Sequence, residues 1–368
     1  MKKLIITTLL AAVMAAQSPL TSAAQTTHRL TANKASEYGL IYTLPVTRLE
    51  VTIAAEKTVA TPGEFYQYAV KYLNTKPILA TETSWRITEA VIGPTAVADP
   101  AEQYLVTFKG GNGTYMTLTA EGFPLSVNDN EYEPTGDDVR LPQAVKAEPT
   151  ILETSEARQA VTPEMIQSRS TAKRAELAAQ KIYELRTNRS EIIAGQAESM
   201  PADGEAMRLA LSRLDRQEEA LTAMFTGTRQ TSVEVRTYTV EIPADPEAAG
   251  RTIIARLSQL DGLVASDDLS GAPIYLTVTP LAKGKLPVNE KGETKTFPKG
   301  GVAYRIPGSA EAVLTYDGAT LAKKSFDVAQ YGVVFGLDPS LFTAKKATSY
   351  LHFNPLTGGV RELGTLSE

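Results

Sequence analysis

The stretch from Thr162 to Gly227 constrains this chain most, because it reads as two long amphipathic helices folded back on each other. Thr162-Pro163-Glu164 marks the start of the first helix. A threonine side chain accepts the free N–H groups of a first turn, and a proline there gives up only an N–H that would go unpaired anyway. From Glu164 to Ile193 there is no further Pro and no Gly, and good helix formers dominate. Ala175, Ala178, Ile182, Leu185 and Ile192 recur at helical steps, interrupted at Arg189, and make one apolar stripe. The spacing predicts one helix over 164–193, ~45 Å long, stopped at Gly195. After a short link containing Pro201, Asp203 is expected to cap a second helix striped by Met207, Ala210, Leu211, Leu214, Leu221, Met224 and Phe225. Striped helices joined by a short link pack antiparallel, each covering the other's stripe. The length predicts a tip that projects or lies along a neighbour. The hairpin over 162–227 is then either a structural brace or a partner-binding arm.

The regions on either side read as β-structure. In 25–127, Leu49, Val51 and Ile53 alternate with Glu50 and Thr52, and Trp85, Ile87 and Val91 mark another run. Thr61-Pro62-Gly63-Glu64 reads as a capping box opening a short helix with Phe65, Tyr68, Ala69, Tyr72 and Leu73 on one side. Tyr104–Phe108 and Tyr115–Thr119, joined by Gly110-Gly111-Asn112-Gly113, predict a hairpin; without a following helix start or a Gly-Lys-Ser/Thr ending, the glycines are no phosphate cradle. Residues 128–161 read as an acidic, proline-containing linker, and Asp129, Glu131, Glu133, Asp137 and Asp138 lack the spacing of a calcium loop.

In 228–368 the strands return. Val233 and Val235, then Tyr238, Val240 and Ile242, switch parity, which predicts a bulge. Ile253–Leu257 is ambiguous between strand and helix, and Ile274, Leu276 and Val278 form a strand ending at Pro280. Lys283–Lys299 carries five lysines and reads as an exposed, solvated excursion, although such a run can also bind anions. Val302–Ile306 and Ala310–Tyr316, the turn pair Asp317-Gly318, and Ala319–Val328 predict a strand followed by a tight hairpin. Asp338-Pro339-Ser340 caps a helical turn, and Thr348–Phe353 with Val360–Leu363 makes a last hairpin. The fold class expected is α+β: two mainly antiparallel, sandwich-like β domains, 25–127 and 228–368, with the helical hairpin between them.

The first residues predict an address. Lys2 and Lys3, the apolar run Leu4–Ala16, and the small residues Thr21-Ser22-Ala23-Ala24 form a signal peptide over 1–24, cleaved before Gln25. The expected location is the periplasm of a Gram-negative cell, or the outside. With no cysteine there is no lipid anchor of the lipoprotein kind and no disulfide, and no later stretch predicts a transmembrane helix. The formal charge is −5, and losing Lys2 and Lys3 makes it more negative, which disfavours a nucleic-acid or anionic-membrane role.

The chemistry available is narrow. Thiol catalysis and thiolate metal sites are excluded, and only His28 and His352 exist. His28 is expected to fray near the cleavage point; His352 lies in a predicted strand beside Phe353. No Gly-x-Ser-x-Gly elbow is present to make a serine triad, and two histidines give thin support for zinc. Asp137-Asp138 and Asp267-Asp268 are adjacent acid pairs, but adjacent acids on a strand face opposite ways and in a loop are solvated. No catalytic, cofactor-binding or metal residue is therefore predicted, and no cofactor. The first functional expectation is a non-enzymatic binding or assembly module that meets an envelope protein through the hairpin. The alternatives are a carboxylate-based carbohydrate-active enzyme and a lectin-like module, the latter needing an exposed aromatic cluster around Trp85.

Three segments carry a resemblance: Tyr331-Gly332-Val333-Val334-Phe335-Gly336-Leu337-Asp338-Pro339-Ser340-Leu341-Phe342, Thr61-Pro62-Gly63-Glu64-Phe65-Tyr66, and Met200-Pro201-Ala202-Asp203-Gly204-Glu205-Ala206. Over nearly the whole chain after the leader, with these segments in the same order, the sequence resembles a family of exported Bacteroidetes proteins of unknown function. The resemblance implies an exported, Gram-negative setting and brings no activity, cofactor or site residue with it.

Overall fold

The computed structural model describes residues 26–29, 39–107, 114–136, 140–201, 204–342 and 349–365. The segment 1–24 expected to be a leader, the glycine loop at 110–113, the pair Asp137-Asp138 and the expected cap Asp203 lie outside those residues. The chain opens with β1 (Thr26–Arg29), β2 (Leu40–Thr61), α1 (Ala69–Leu73), β3 (Glu82–Thr107), β4 (Met116–Leu118) and β5 (Pro124–Val127). The helical part is α2 (Ser155–Ala160), α3 (Pro163–Gln167), α4 (Thr171–Ala194) and α5 (Glu205–Thr226). It ends with β6 (Thr228–Glu241), β7 (Arg251–Ser258), β8 (Gly262–Val264), β9 (Ala272–Ala282), β10 (Val302–Tyr316), β11 (Ala319–Leu337), β12 (Ser349–Asn354) and β13 (Gly359–Thr365).

The strands form three antiparallel sheets, ordered β1-β3-β2-β6, β11-β10-β9-β7-β8 and β13-β12-β5-β4. The boundaries expected at 127 and 228 do not separate sheets. β6 runs beside β2 from Arg48↔Glu241 to Thr61↔Thr228, and β12 runs beside β5 through Leu351↔Val127 and His352↔Ser126. The core explains why. Leu49, Val51, Ile53 and Ala55 of β2 turn one face toward Ala255, Leu257, Ile274, Leu276, Ala310, Ala312 and Leu314 of the second sheet. A half-buried strand needs a facing layer, and here the C-terminal part of the chain supplies it. The predicted hairpin between Tyr104–Phe108 and Tyr115–Thr119 is also corrected: β3 ends in the first sheet beside β1 and β2, whereas β4 pairs with β5 in the third.

Two prolines let long strands serve two cores. β2 shifts register between Thr43 and Pro45, and β10 between Ile306 and Gly308, on either side of Pro307. Proline has no N–H to give the ladder and sits at bulges. Beyond these points, Tyr42, Leu44, Val302 and Ala303 join Met116, Val127, Phe342, Leu351 and Phe353 in a second core under the third sheet. The two strands predicted at Val302–Ile306 and Ala310–Tyr316 are thus one strand with a bulge at Pro307.

The first two sheets are also joined through one amide. Gln330 of β11 accepts from the Thr47 N–H at 3.0 Å and donates to the carbonyls of Thr47 at 2.9 Å and Ile242 at 3.1 Å. The Thr47 hydroxyl in turn accepts from the Ala329 N–H at 2.9 Å.

β6 carries no bulge: its pairing with β2 is unbroken. The parity switch records two covered faces of a straight strand. Tyr238 and Val240 pack on the first core, and at the other end Val233 makes a backbone bridge with Val145 of the preceding segment. Ile253–Leu257 resolves as strand β7, and β9 runs past Pro280 to Ala282. The backbone of His28 is paired in β1, opposite Leu105, rather than frayed. Asp317 and Gly318, both at positive φ, make the tight turn between β10 and β11, and β12–β13 is the expected last hairpin.

The helical unit departs from the expected form in three ways. The first helix is broken at Ser168-Arg169-Ser170. Thr162 caps α3, accepting from the Met165 N–H at 3.4 Å, and Ser170 caps α4 afresh, accepting from the Lys173 N–H at 3.4 Å. Serine side chains compete for backbone groups, so two serines close together favour a restart over a continuous helix. The second departure is α2, which lies within the expected linker 128–161 and buries Ala157 and Ala160. The third is Thr61-Pro62-Gly63-Glu64, which makes no capping box: Thr61 ends β2, and Glu64 pairs with Arg174 of α4. α4 and α5 run antiparallel to each other, tied by Arg186 Nε to Glu218 at 2.6 Å and Arg189 Nη1 to Asp215 at 2.6 Å.

Candidate functional site

The hairpin divides into two halves along its length. Near the sheets, Ala175, Ala178, Ile182 and Leu185 of α4 and Leu221 and Phe225 of α5 close on Phe65, Ala69 and Met165. Toward the tip, Met207, Ala210, Leu211 and Leu214 are only half-buried. There Ile193 is 67% exposed, Leu209 52% and Met200 44%. α5 starts at Gly204 without a side-chain cap. The base is therefore packed, and the tip leaves apolar surface without a partner among the described residues.

His352, predicted to lie in a strand without a catalytic role, has an organised polar setting. Thr117, Ser126, His352 and Glu362 are successive cross-strand partners over β4, β5, β12 and β13. Their neighbours Met116, Val127 and Leu351 face the second core, so by alternation the four polar residues line the opposite face. The Thr117 and Ser126 hydroxyls are 2.7 Å apart. His352 Nε2 lies 2.7 Å from Asp129 Oδ2, and Nδ1 lies 3.4 Å from Glu362 Oε2, an ion-pair distance without hydrogen-bond geometry. Tyr132 stacks on the imidazole at 3.8 Å and 6°, Tyr350 tilts against it at 4.9 Å, and the Tyr350 hydroxyl donates to Glu362 at 2.7 Å.

This arrangement holds a strap. Residues 129–135 cross the outer face of the third sheet, fixed by Asp129 and Tyr132 on His352 and by Arg361 Nη2 donating to the Thr135 hydroxyl at 2.7 Å. A general base must turn a ring nitrogen toward the proton it takes. Here one nitrogen is engaged by Asp129, the other faces Glu362, and tyrosines cover the ring, so the imidazole acts as a latch. Sequence reasoning missed Asp129, Tyr132 and Glu362 as its partners. The available signal was polar Thr117, Ser126 and His352 alternating with apolar Met116, Val127 and Leu351.

The latch has a pH dependence whose sign follows from its acids. The His352 side chain holds the Asp129 carboxyl below the ordinary range, helped by the Glu131 N–H. The Tyr350 hydroxyl does the same for Glu362. Acids depressed in the folded state contribute stability that is complete above their unfolded values, near pH ~4, and lost as pH falls through the folded values. Asp129→Asn is expected to lower the melting temperature at about pH 5, with the gap to wild type closing as the pH drops below ~4. Melting curves across that range check it; a gap that stays constant refutes the latch.

Two hollows flank these features. One, of about 730 Å³, is lined by Val91, Pro94, Pro307, Phe326, Pro355 and Leu356 together with Glu50, Lys324, Asp327 and Arg361. The other, of about 840 Å³, lies where Lys146–Ile151 passes the hairpin base and β6, and is lined largely by charged and hydroxyl side chains such as Arg186, Glu218 and Arg229. Trp85 lines neither hollow. It is half-buried against the first core, with its N–H donating to the Leu260 carbonyl at 3.4 Å and its ring against Gly262. That placement weighs against an exposed aromatic platform there. Asp268 accepts from the Ser270 N–H at 2.9 Å in an exposed turn. Among the described residues, no cluster of three or more His, Asp or Glu could hold a metal, and no helix is long and apolar enough to cross a membrane.

The sequence matches a family described as a domain of unknown function, DUF4831, over residues 38–361, and the chain belongs to that family. Neither a curated protein nor a solved structure matches it.

Proposed function

We propose that this DUF4831 protein is exported to the cell envelope and works there as a non-enzymatic binding or assembly module, with the distal half of the α4–α5 hairpin as its contact surface. The observation that carries this reading is the split of the hairpin: a buried base, and a tip with Ile193, Met200 and Leu209 exposed. Apolar side chains grouped at the end of a rigid arm fit an envelope protein that offers an apolar groove to a helix pair. The leader-like start, Lys2 and Lys3 before Leu4–Ala16, supports export. The test replaces Ile193, Met200 and Leu209 together by serine. Stability is expected to stay within about 0.5 kcal/mol of wild type, since none is buried, while species that co-purify with the wild type from envelope extracts are lost. Unchanged co-purification sinks the proposal, as does a mature protein whose N-terminus is Met1 rather than Gln25.

The carboxylate-based enzyme remains the second reading because the 730 Å³ hollow is lined by Glu50 and Asp327. Glycan hydrolysis abolished by Glu50→Gln or Asp327→Asn, with the tip variant fully active, favours it over the binding module.

A further inference from the structure

Between β9 and β10 the chain leaves the second sheet for residues 283–301. This excursion carries Lys283, Lys285, Lys291, Lys295 and Lys299 against only Glu290 and Glu293, in a chain whose formal charge is −5. All five lysines are exposed, and none makes an ion pair with any described residue. Leu286, Val288 and Phe297 are exposed in the same excursion, with Leu281 just before it.

The excursion has a held shape. Val288 and Thr294 form a bridge, the Lys295 N–H donates to the Pro287 carbonyl at 2.8 Å, and the Asn289 N–H donates to the Glu293 carbonyl at 2.8 Å. Asn289 Oδ1 accepts from the N–H groups of Lys291 and Glu293 at 2.9 Å each, which closes the tip with Gly292 at φ +80°. The root is fixed as well. The Gly284 N–H donates to the Tyr331 carbonyl at 3.0 Å, and the Phe297 ring meets Phe335 edge-on at 6.1 Å.

We propose that this hairpin docks the protein on an anionic lipid bilayer surface. Unpaired lysines around exposed Leu286 and Val288 are the complement of such a surface: ammonium heads meet the headgroup phosphates while the apolar side chains enter the interface. A stable protein–protein contact draws on ~20–30 residues a side, more than the excursion offers, whereas a bilayer asks for no matching surface. The net charge of the whole chain predicts repulsion from such surfaces, but screening over ~10 Å leaves the local cluster to decide. The hairpin lies apart in sequence from the α4–α5 arm, so the inference does not rest on the arm's role.

The experiment is co-sedimentation of the intact protein with phosphatidylcholine vesicles, with and without phosphatidylglycerol. Binding is expected only with phosphatidylglycerol and should weaken as salt is raised. Each lysine near an anionic surface is worth roughly fivefold in affinity, so Lys285→Gln/Lys291→Gln/Lys295→Gln is expected to lose about a hundredfold with an unchanged melting temperature. Val288→Ser, which leaves every charge in place, should weaken binding severalfold. The proposal is overturned if phosphatidylglycerol vesicles do not retain the protein, if the triple variant binds like wild type, or if the lysines instead capture an acidic protein without lipid.

Discussion

Phe225→Ala is expected to lower folding stability by about 3–5 kcal/mol, whereas Leu214→Ala, three turns earlier on the same helix, lowers it by only about 1 kcal/mol. Phe225 is fully buried at the base of the hairpin, 5.4 Å from the Phe65 ring and 6.5 Å from Tyr72. Removing it opens a cavity between α5 and the turn that follows β2, at a place fixed by the Phe65 N–H donating to the Met224 carbonyl at 2.7 Å. Walls tied by backbone hydrogen bonds cannot collapse to fill the space, which puts the cost toward the upper end. Leu214 stands in the middle of the same stripe, and from the stripe alone it deserves the same cost. It is only half-buried, because α4 covers the stripe fully only near the sheets. Urea unfolding of both variants reads the difference. Equal losses would mean that the distal half is packed as tightly as the base, and would remove the argument for a free arm.

Much of this architecture was legible because its signals are local. Thr162-Pro163 does cap a helix, Asp317-Gly318 does turn a hairpin, and Leu49, Val51 and Ile53 do share a buried face. What could not be read was which strand lies beside which. Antiparallel strands of similar alternation are interchangeable until a partner selects them, and the neighbours of β2 in space, β3 and β6, are separated in sequence by β4, β5 and all the helices from α2 to α5. The gap around Pro307 was read as a break between two strands, although a proline can also mark a bulge within one strand. The His352 latch was hidden for a related reason. Asp129 was one acid among several in a loop, and only the pairing of β5 with β12 sets it beside the imidazole.

The sharpest test of how the helical arm is attached is Gly227, the residue between α5 and β6. Its φ of +86° and ψ of −179° belong to a region that only glycine occupies readily. A Cβ there would also lie 2.3 Å from the Thr61 carbonyl oxygen, at the end of β2. Both costs fall on the joint where the arm enters the sheet, since Thr228 pairs with Thr61 and the Ile78 N–H donates to the Thr226 carbonyl at 2.9 Å. Gly227→Ala is therefore expected to cost about 3 kcal/mol or more, the sum of a strained backbone and an overpacked contact. Gly195 at the end of α4 is the control. It too has positive φ, at +70°, but nothing lies within 4 Å of a Cβ built there, so Gly195→Ala should cost only about 1 kcal/mol. If both variants lose the same stability, the close approach to Thr61 contributes nothing and the arm is attached by its packed base alone. A much larger loss at Gly227 means that the backbone junction with β2 fixes the arm's direction, so a contact made at the tip would be transmitted to the first sheet through a joint without slack.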